Sequence, residues 1–571
     1  MSPPQPSPQT GAGDLGRTPA SCHGHHLRGT LLHSGPDHSP CSTAIYAGTL
    51  VLVGVGLLHR AALFLLYFPD LQQLITNNPD WLTGQFLTIP ALSRHLAGAL
   101  FLLQQTPPIP NLVLGIISKC TTWPMGVGCV LIALQALLSI AAVILMFRIQ
   151  LVFGHRIWLC LVLPLIFLLS TDLVLMEYNS LGQTFYENLP MCLLLLATYL
   201  VLRLEHTGSV KYSGLLGLVT ALLALSRATF SYFLVIPILF IVILRPPRLR
   251  RHLLAFFLFG VSLQLGWCAK NALLYGHPSL ATSSWDGTNF EASLIKTGLG
   301  GLFLSSILAD PAGYPNWFIA MNRREGLVPW NPAYVRYAPP SLLQRDRQIQ
   351  EICPANVAAG NTYGQSTMSA LYLRAYMKFA RQYPWLVLRK FAMSYKLFWQ
   401  PIRNYSYMYV DLFYTMPVIG NSFNIPAVLA RIAHGDIPEP QHLMTERYVF
   451  LAPKPRNAKR INTYSLTLLP TLLLMINLGA LHLLAPMLLV FALTPLGRRK
   501  GGLPVGYSFM LCAIGYVALV SNLAELGENM RFRLSVEPLI WVSSGIGFGM
   551  LHRLLWPERW RLARAIGAPS G

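Results

Sequence analysis

The chain is written as long apolar runs separated by short polar breaks. Runs fall near 43–68, 125–147, 157–175, 189–203, 213–226, 229–244, 253–273, 465–494, 504–523 and 534–552. Several reach the ~20 residues that a membrane-spanning helix needs, and the others are shorter. Read together, they predict an all-α polytopic protein with about ten transmembrane helices. One further apolar stretch, Leu112–Ile117, is too short to span. It follows Gln105-Thr106-Pro107-Pro108-Ile109-Pro110-Asn111, so the expectation is an interfacial or re-entrant helix that starts at the prolines.

Composition agrees with this class. Of 571 residues, 53% are hydrophobic and only 11% charged, which is too apolar for an ordinary soluble domain. A formal charge of +21 would suit nucleic-acid binding. Here, however, the basic residues gather in short loops between apolar runs, as topology determinants do. With a cytoplasmic N-terminus, Arg148 and Arg156, Arg203 and Lys211, Arg245 to Arg251, Arg498 to Lys500 and the C-terminal arginines all fall inside. Nucleic acid is therefore not an expected partner, whereas the lipid bilayer is.

The same orientation sends 69–124, 176–188, 274–463 and 524–533 to the outer side. Five parts follow: a disordered tail over 1–43, an N-terminal membrane module over 44–273 with its outer first loop, a large extracytoplasmic insertion over 274–463, C-terminal membrane helices over 464–552, and a basic tail over 553–571. The tail lacks an apolar signal core, and its His23, His25 and His26 suit only adventitious metal binding. One glycosylation sequon, Asn404-Tyr405-Ser406, falls in the outer insertion. The cysteines include no CxxC pair and give neither a metal site nor a disulfide framework.

The charges closest to hydrocarbon are the informative ones, because placing them there is costly. Glu525, Glu528, Arg531, Arg533 and Glu537 crowd the break between the last two runs. Asp70 follows the first run, where it either ends a helix beside headgroups or acts as a base. Asp80 stands in Asn77-Asn78-Pro79-Asp80, a turn-forming sequence. Glu177 and Asn179 follow the third run, and Glu177 at a helix end opposes the helix dipole unless it has a partner. Arg227 interrupts two runs. Lys270 closes another, ahead of Ser283-Ser284-Trp285. All of these belong to the outer face. A carboxylate there can act as general base toward a hydroxyl, and arginines can hold a phosphate by a bidentate fork. The competing reading of Arg227, Arg531, Arg533 and Lys270 is contact with lipid headgroups, with Arg533 the one most expected to face them.

These residues resemble the motifs of the GT-C superfamily of integral membrane glycosyltransferases, which includes the protein O-mannosyltransferases and the transferases that modify lipid A and polysaccharides. Gln104–Asn111 resembles the "HxQPPLxN" first loop, with the histidine absent. Glu177-Tyr178-Asn179 resembles an "EN" step, and Leu225-Ser226-Arg227 an "LTR" step. Lys270–Gly276 with Ser283–Trp285 resembles "KNxxxFG…SSW". Glu528–Arg533 with Glu537-Pro538 resembles "ENxRFR…EP".

The resemblance implies transfer of a hexose or pentose, with inversion, from a polyprenyl-phosphate donor to an acceptor on the extracytoplasmic or lumenal face. It implies catalytic roles among Asp70, Asp80 and Glu177, with the first-loop base open between the two aspartates. Lys270, Arg227, Arg531 and Arg533 would bind donor phosphate, and Asn179, Trp285 and Glu528 would contact substrate. The sequence requires no cofactor and leaves a divalent cation open. The membrane would be the endoplasmic reticulum in a eukaryote and the plasma membrane in a bacterium. Two other classes stay open: a multi-pass transporter, which suits broken helices and buried charge, and a non-catalytic scaffold of the same fold.

Overall fold

The structure is a computed structural model that describes residues 42–77, 87–104, 106–121, 124–155, 157–169, 181–276, 278, 280, 287–327, 333–352, 362–399, 476–494, 503–524 and 529–555. The described residues are overwhelmingly helical, and no strand occurs among them. Residues 1–41 and 556–571 of the two tails, the sequon at Asn404, and Asp80, Glu177, Asn179, Trp285 and Glu528 lie outside the described residues.

Among the described residues, five helices are long and apolar enough to cross a membrane. They are Thr43–Ala62 within α1 (Ser42–Asn77), α4 (Met125–Val152), Glu187–Thr207 within α6 (Leu181–Thr207), α9 (Leu249–Tyr275) and α17 (Val505–Ala524). Between them stand α2 (Ile89–Phe101), α3 (Pro108–Cys120), α5 (Ile157–Leu168), α7 (Val210–Ser226) and α8 (Val235–Leu244). The chain closes with α16 (Ala485–Leu493), led in by a π turn over Ala480–Leu484, then α17, α18 (Asn529–Leu534) and α19 (Glu537–Leu555). Exposed apolar side chains such as Leu58, Leu65, Leu258 and Val490 face outward from these helices, as lipid-facing residues would.

The first helix does not stop at Phe68. It carries through Pro69 to Asn77, so Asp70 lies within α1 and not beyond its end. A proline removes one backbone hydrogen bond, a loss that helices of this class tolerate where neighbours compensate. In contrast, α3 begins where the prolines put it. Pro107 is the N-cap and Pro108 the first helical residue, positions where a missing N–H costs nothing.

The bundle core joins α4, α5, α6, α7, α17 and α19 through Phe147, Phe167, Leu194, Leu223, Phe509 and Trp541. Its tightest crossing is between α7 and α9, which run parallel: Ser213 bonds His252 (2.8 Å), and Ala224 and Leu225 pack with Trp267 and Cys268. Between these points the two backbones touch. A Cβ on Gly217 would lie 2.5 Å from the Phe256 carbonyl oxygen, and one on Gly260 would lie 2.7 Å from that of Gly217. Small residues permit this approach, and α9 locally unwinds into a π turn over Phe257–Val261 at the same place.

A second, smaller core lies in 287–399. Here α10 (Gly287–Lys296), α11 (Gly300–Leu308), α12 (Asn316–Glu325), α13 (Pro340–Ile352), α14 (Tyr363–Gln382) and α15 (Pro384–Phe398) enclose Phe303, Phe318, Tyr372 and Phe379. Aromatic rings meet edge to face, Phe318 on Tyr372 at 5.0 Å and Phe303 on Phe379 at 5.6 Å. This helical unit rests on the bundle through α15, whose Lys390 donates to the Leu523 carbonyl at the end of α17 (2.5 Å).

Candidate functional site

The helical unit covers one end of the bundle, and that end gathers the charged residues. The C-terminus of α7, the C-terminus of α9, the C-terminus of α17 and the N-terminus of α19 all meet there. Helices that alternate in direction along the chain bring these ends together.

At its centre is Arg227, one residue past α7. It is 5% exposed, pairs with Glu187 of α6, which is 0% exposed, and lies under the Phe532 ring at 4.4 Å. Next to Glu187, Asn188 donates to Gln135 of α4 (2.6 Å). A buried ion pair is tolerable only if each charge meets its opposite with good geometry. The aromatic face adds a cation–π contact that holds the guanidinium plane.

A second pair stands beside it. Arg533 is 1% exposed, donates from Nε to Glu537 (2.6 Å) and from Nη1 to the Phe398 carbonyl (3.0 Å). Trp541 completes the set by donating to the other oxygen of Glu537 (3.0 Å). Arg533 therefore does not face headgroups: its fork is enclosed, and it locks α18 and α19 to the end of α15. Residue 537 is one helical turn from 533, and a carboxylate at the start of α19 also meets the positive end of the helix dipole.

Lys270 occupies the last turns of α9. It donates to the Leu103 carbonyl (2.5 Å) and stands 3.8 Å from the Trp267 ring centre, while Tyr275 donates to the adjacent Leu102 carbonyl (2.5 Å). Leu102 and Leu103 follow α2, whose terminal carbonyls lack helical partners, so a cation and a hydroxyl there satisfy them. Gly276, with φ of 75°, ends α9 in the left-handed conformation that a glycine takes without strain.

The run Gln104–Asn111 is held at several points. Gln104 donates to the Thr362 carbonyl at the start of α14 (2.6 Å). Asn111 accepts from the Leu87 amide (2.9 Å) and donates to Thr106 (3.1 Å). Ile109 packs against the small cluster of Ala224, Leu225 and Leu280. The start of α14 is itself fixed by Asp346, which accepts from the amides of Tyr363 (2.6 Å) and Gly364 and from the Tyr334 hydroxyl (2.9 Å). Burial pushes the Asp346 carboxyl above the usual aspartate range, and these three donors pull against that shift.

Three of the motif runs therefore converge: the first loop, the Leu225–Arg227 step and the Lys270–Gly276 run. A fourth, Glu528–Pro538, joins them through Phe532 over Arg227, and the Glu177–Asn179 step lies outside the described residues. Asp70 and Arg531 lie on α1 and α18, with side chains outside the described residues. No group of His, Cys, Asp and Glu suited to a metal ion occurs among the described residues.

Glu187 and Phe532 are partners of Arg227 that the sequence does not pair with it. Glu187 had a signal: it stands two residues before the apolar run 189–203, where a carboxylate beside hydrocarbon calls for a cation, and Arg227 is an arginine that interrupts apolar sequence. Phe532 had none, because its contact depends on how α18 lies over α7.

In comparisons with known proteins, no family model, no curated protein and no solved structure matches this chain.

Proposed function

We propose that the chain is a multi-pass membrane glycosyltransferase that moves a sugar from a polyprenyl-phosphate donor to an acceptor on the extracytoplasmic face. The observation that carries this reading is the meeting of Arg227, Lys270 and the Phe532–Glu537 segment with the first loop, at one end of an apolar bundle and beneath a separate helical unit. A lipid-linked donor requires that geometry: the prenyl chain stays in the bilayer while its phosphate reaches cations at the rim.

In this reading all ten apolar runs cross the membrane. The five long helices are joined by α5, α7, α16, α19 and the apolar helix Ala228–Leu244, whereas α3 lies at the interface. Arg227 and Arg531 are the cations we assign to the leaving phosphate. Arg533 serves to position α18, so that Arg531 is presented, and Lys270 fixes the first loop with its candidate base at Asp70 or Asp80. Glu177, Asn179, Trp285 and Glu528 keep the roles that the family resemblance implies.

The test is release of polyprenyl phosphate from a labelled polyprenyl-phosphate hexose by the full chain in nanodiscs, with a panel of acceptors. Release that falls roughly a hundredfold in Arg531→Lys supports the assignment, since losing one such donor costs on the order of 3 kcal/mol. Solute flux into proteoliposomes without any release would favour a transporter instead.

A further inference from the structure

The opposite end of the bundle has a feature that sugar transfer does not use. The connection from α8 to α9 reads Arg245-Pro246-Pro247-Arg248-Leu249-Arg250-Arg251-His252. All four arginines are exposed, and no carboxylate pairs with any of them among the described residues. Serving as a topology determinant requires only net positive charge in a loop. This turn is more specific than that.

Arg245 and Arg248 both adopt left-handed backbone, with φ of 42° and 61°, and they are the only non-glycine residues to do so among the described residues. Long L side chains disfavour this region. The two prolines between them limit the turn further. His252, wholly buried, anchors the far side by its bond to Ser213 of α7 (2.8 Å). The neighbouring α6–α7 loop closes against the turn, because a methyl group placed on Gly208 would meet Pro247 at 3.7 Å. The first turn of α7 adds the exposed Lys211. The result is a rigid turn from which guanidinium groups project.

The surface next to it is apolar. Val242 and Ile243 at the end of α8, and Leu254 and Leu258 on the first turns of α9, are 41% to 68% exposed. A ligand that covers both surfaces must carry concentrated negative charge at one end and hydrocarbon at the other.

We propose that the Arg245–Arg251 turn binds the headgroup of a phospholipid bearing a phosphomonoester, with its acyl chains along α8 and α9, in the leaflet opposite the candidate transfer site. A phosphodiester carries one negative charge. A phosphomonoester carries up to two and offers three acceptor oxygens, which suits several planar guanidinium forks. Arginines beside a membrane helix attract such lipids electrostatically as well.

The experiment uses the full chain in phosphatidylcholine nanodiscs, doped either with phosphatidylinositol bisphosphate or with phosphatidylserine at matched total charge. Soluble inositol trisphosphate is added in a third arm. Lipid retained on the protein is counted by native mass spectrometry, and Tm is recorded alongside. The expected result is preferential retention of the bisphosphate lipid with a raised Tm. Arg245→Gln/Arg248→Gln should weaken it about thirtyfold, from the attraction lost with two arginines at a membrane surface. Arg336→Gln, an exposed change in the helical unit, should leave it unaltered.

Because removing positive charge can alter insertion, Arg245→Lys/Arg248→Lys is measured too. It keeps the charge and loses the forks, and should fall between wild type and the Gln variant. Equal retention of the two lipids at matched charge would overturn the proposal, as would unchanged retention in the Lys variant. Binding of inositol trisphosphate with no preference for the lipid would show a soluble-phosphate site and overturn the lipid assignment.

Discussion

The bundle buries Glu187 against Arg227, whereas the helical unit that covers it buries Glu291 with no basic partner among the described residues. Both carboxylates are 0% exposed. Glu291 lies against the Tyr372 hydroxyl, which donates to Asn322 (2.9 Å), and burial pushes its carboxyl up to about 8. One unit of the molecule therefore keeps a charge and supplies a counter-charge, while the other keeps an acid neutral. The difference follows from location. At the bundle end, a fixed positive charge is available from a residue just past a helix terminus. Inside the smaller core, the groups around Glu291 are phenols, amides and rings, and a proton is the least costly neutraliser.

The largest test of this contrast removes the counter-charge. Arg227→Met leaves Glu187 buried and uncompensated, and should lower stability by about 3–5 kcal/mol. The double change Arg227→Met/Glu187→Met should restore most of the loss, because a matched apolar pair replaces the ion pair. Thermal unfolding in nanodiscs measures both, and an additive double variant would show that the two residues do not depend on each other.

The second test is pH. The folded-state affinity of Glu291 for its proton is raised above the unfolded value, so the folded state binds more protons between about 4.5 and about 8. Stability of the helical unit should be fullest below that window, fall as pH rises through it, and level off above it. The slope should approach ~1.4 kcal/mol per pH unit within that window. Glu291→Gln should abolish the slope and gain stability at the alkaline end. A Gln variant with the same pH profile as wild type would assign the titration elsewhere.

Gly260→Ala comes next. Its methyl group would meet the Gly217 carbonyl oxygen at 2.7 Å, and forcing the two helices apart should cost about 1–3 kcal/mol. The smallest effect is expected at Lys378, which pairs with Asp310 (2.7 Å) at the surface of the helical unit. Exposed pairs of this kind are screened by solvent, so Lys378→Ala should leave Tm unchanged within error.

The sequence made some of this visible because it encodes local constraints directly. Pro107 and Pro108 announce the start of α3, and the apolar runs announce the long helices. Arg227, Lys270 and Arg533 stand out as charges beside hydrocarbon. Their partners were less visible, since a contact across 40 residues, as between Glu187 and Arg227, leaves no periodic mark. The helical unit over 287–399 was least visible. Its helices are short and amphipathic, and its core forms only when α10 meets α14 and α12 meets Tyr372. The continuation of α1 past Pro69 was hidden by the opposite error, because proline normally ends a helix and here the helix runs through it.

The touching backbones of α7 and α9 have a geometric consequence. Arg227 lies ten residues beyond Gly217, and Lys270 ten residues beyond Gly260. Measured from the crossing, the two cations thus stand at the tips of arms of equal length, each roughly 15 Å at the rise of an α-helix. The pair works like dividers whose hinge is the glycine contact. A change of about 10° in the crossing angle would move the tips apart by roughly 2.6 Å. Neither arm can slide along the other, because each glycine sits against the other helix's backbone. The spacing between the two cations is thus set at a point in mid-bundle, away from the end where the charged residues gather.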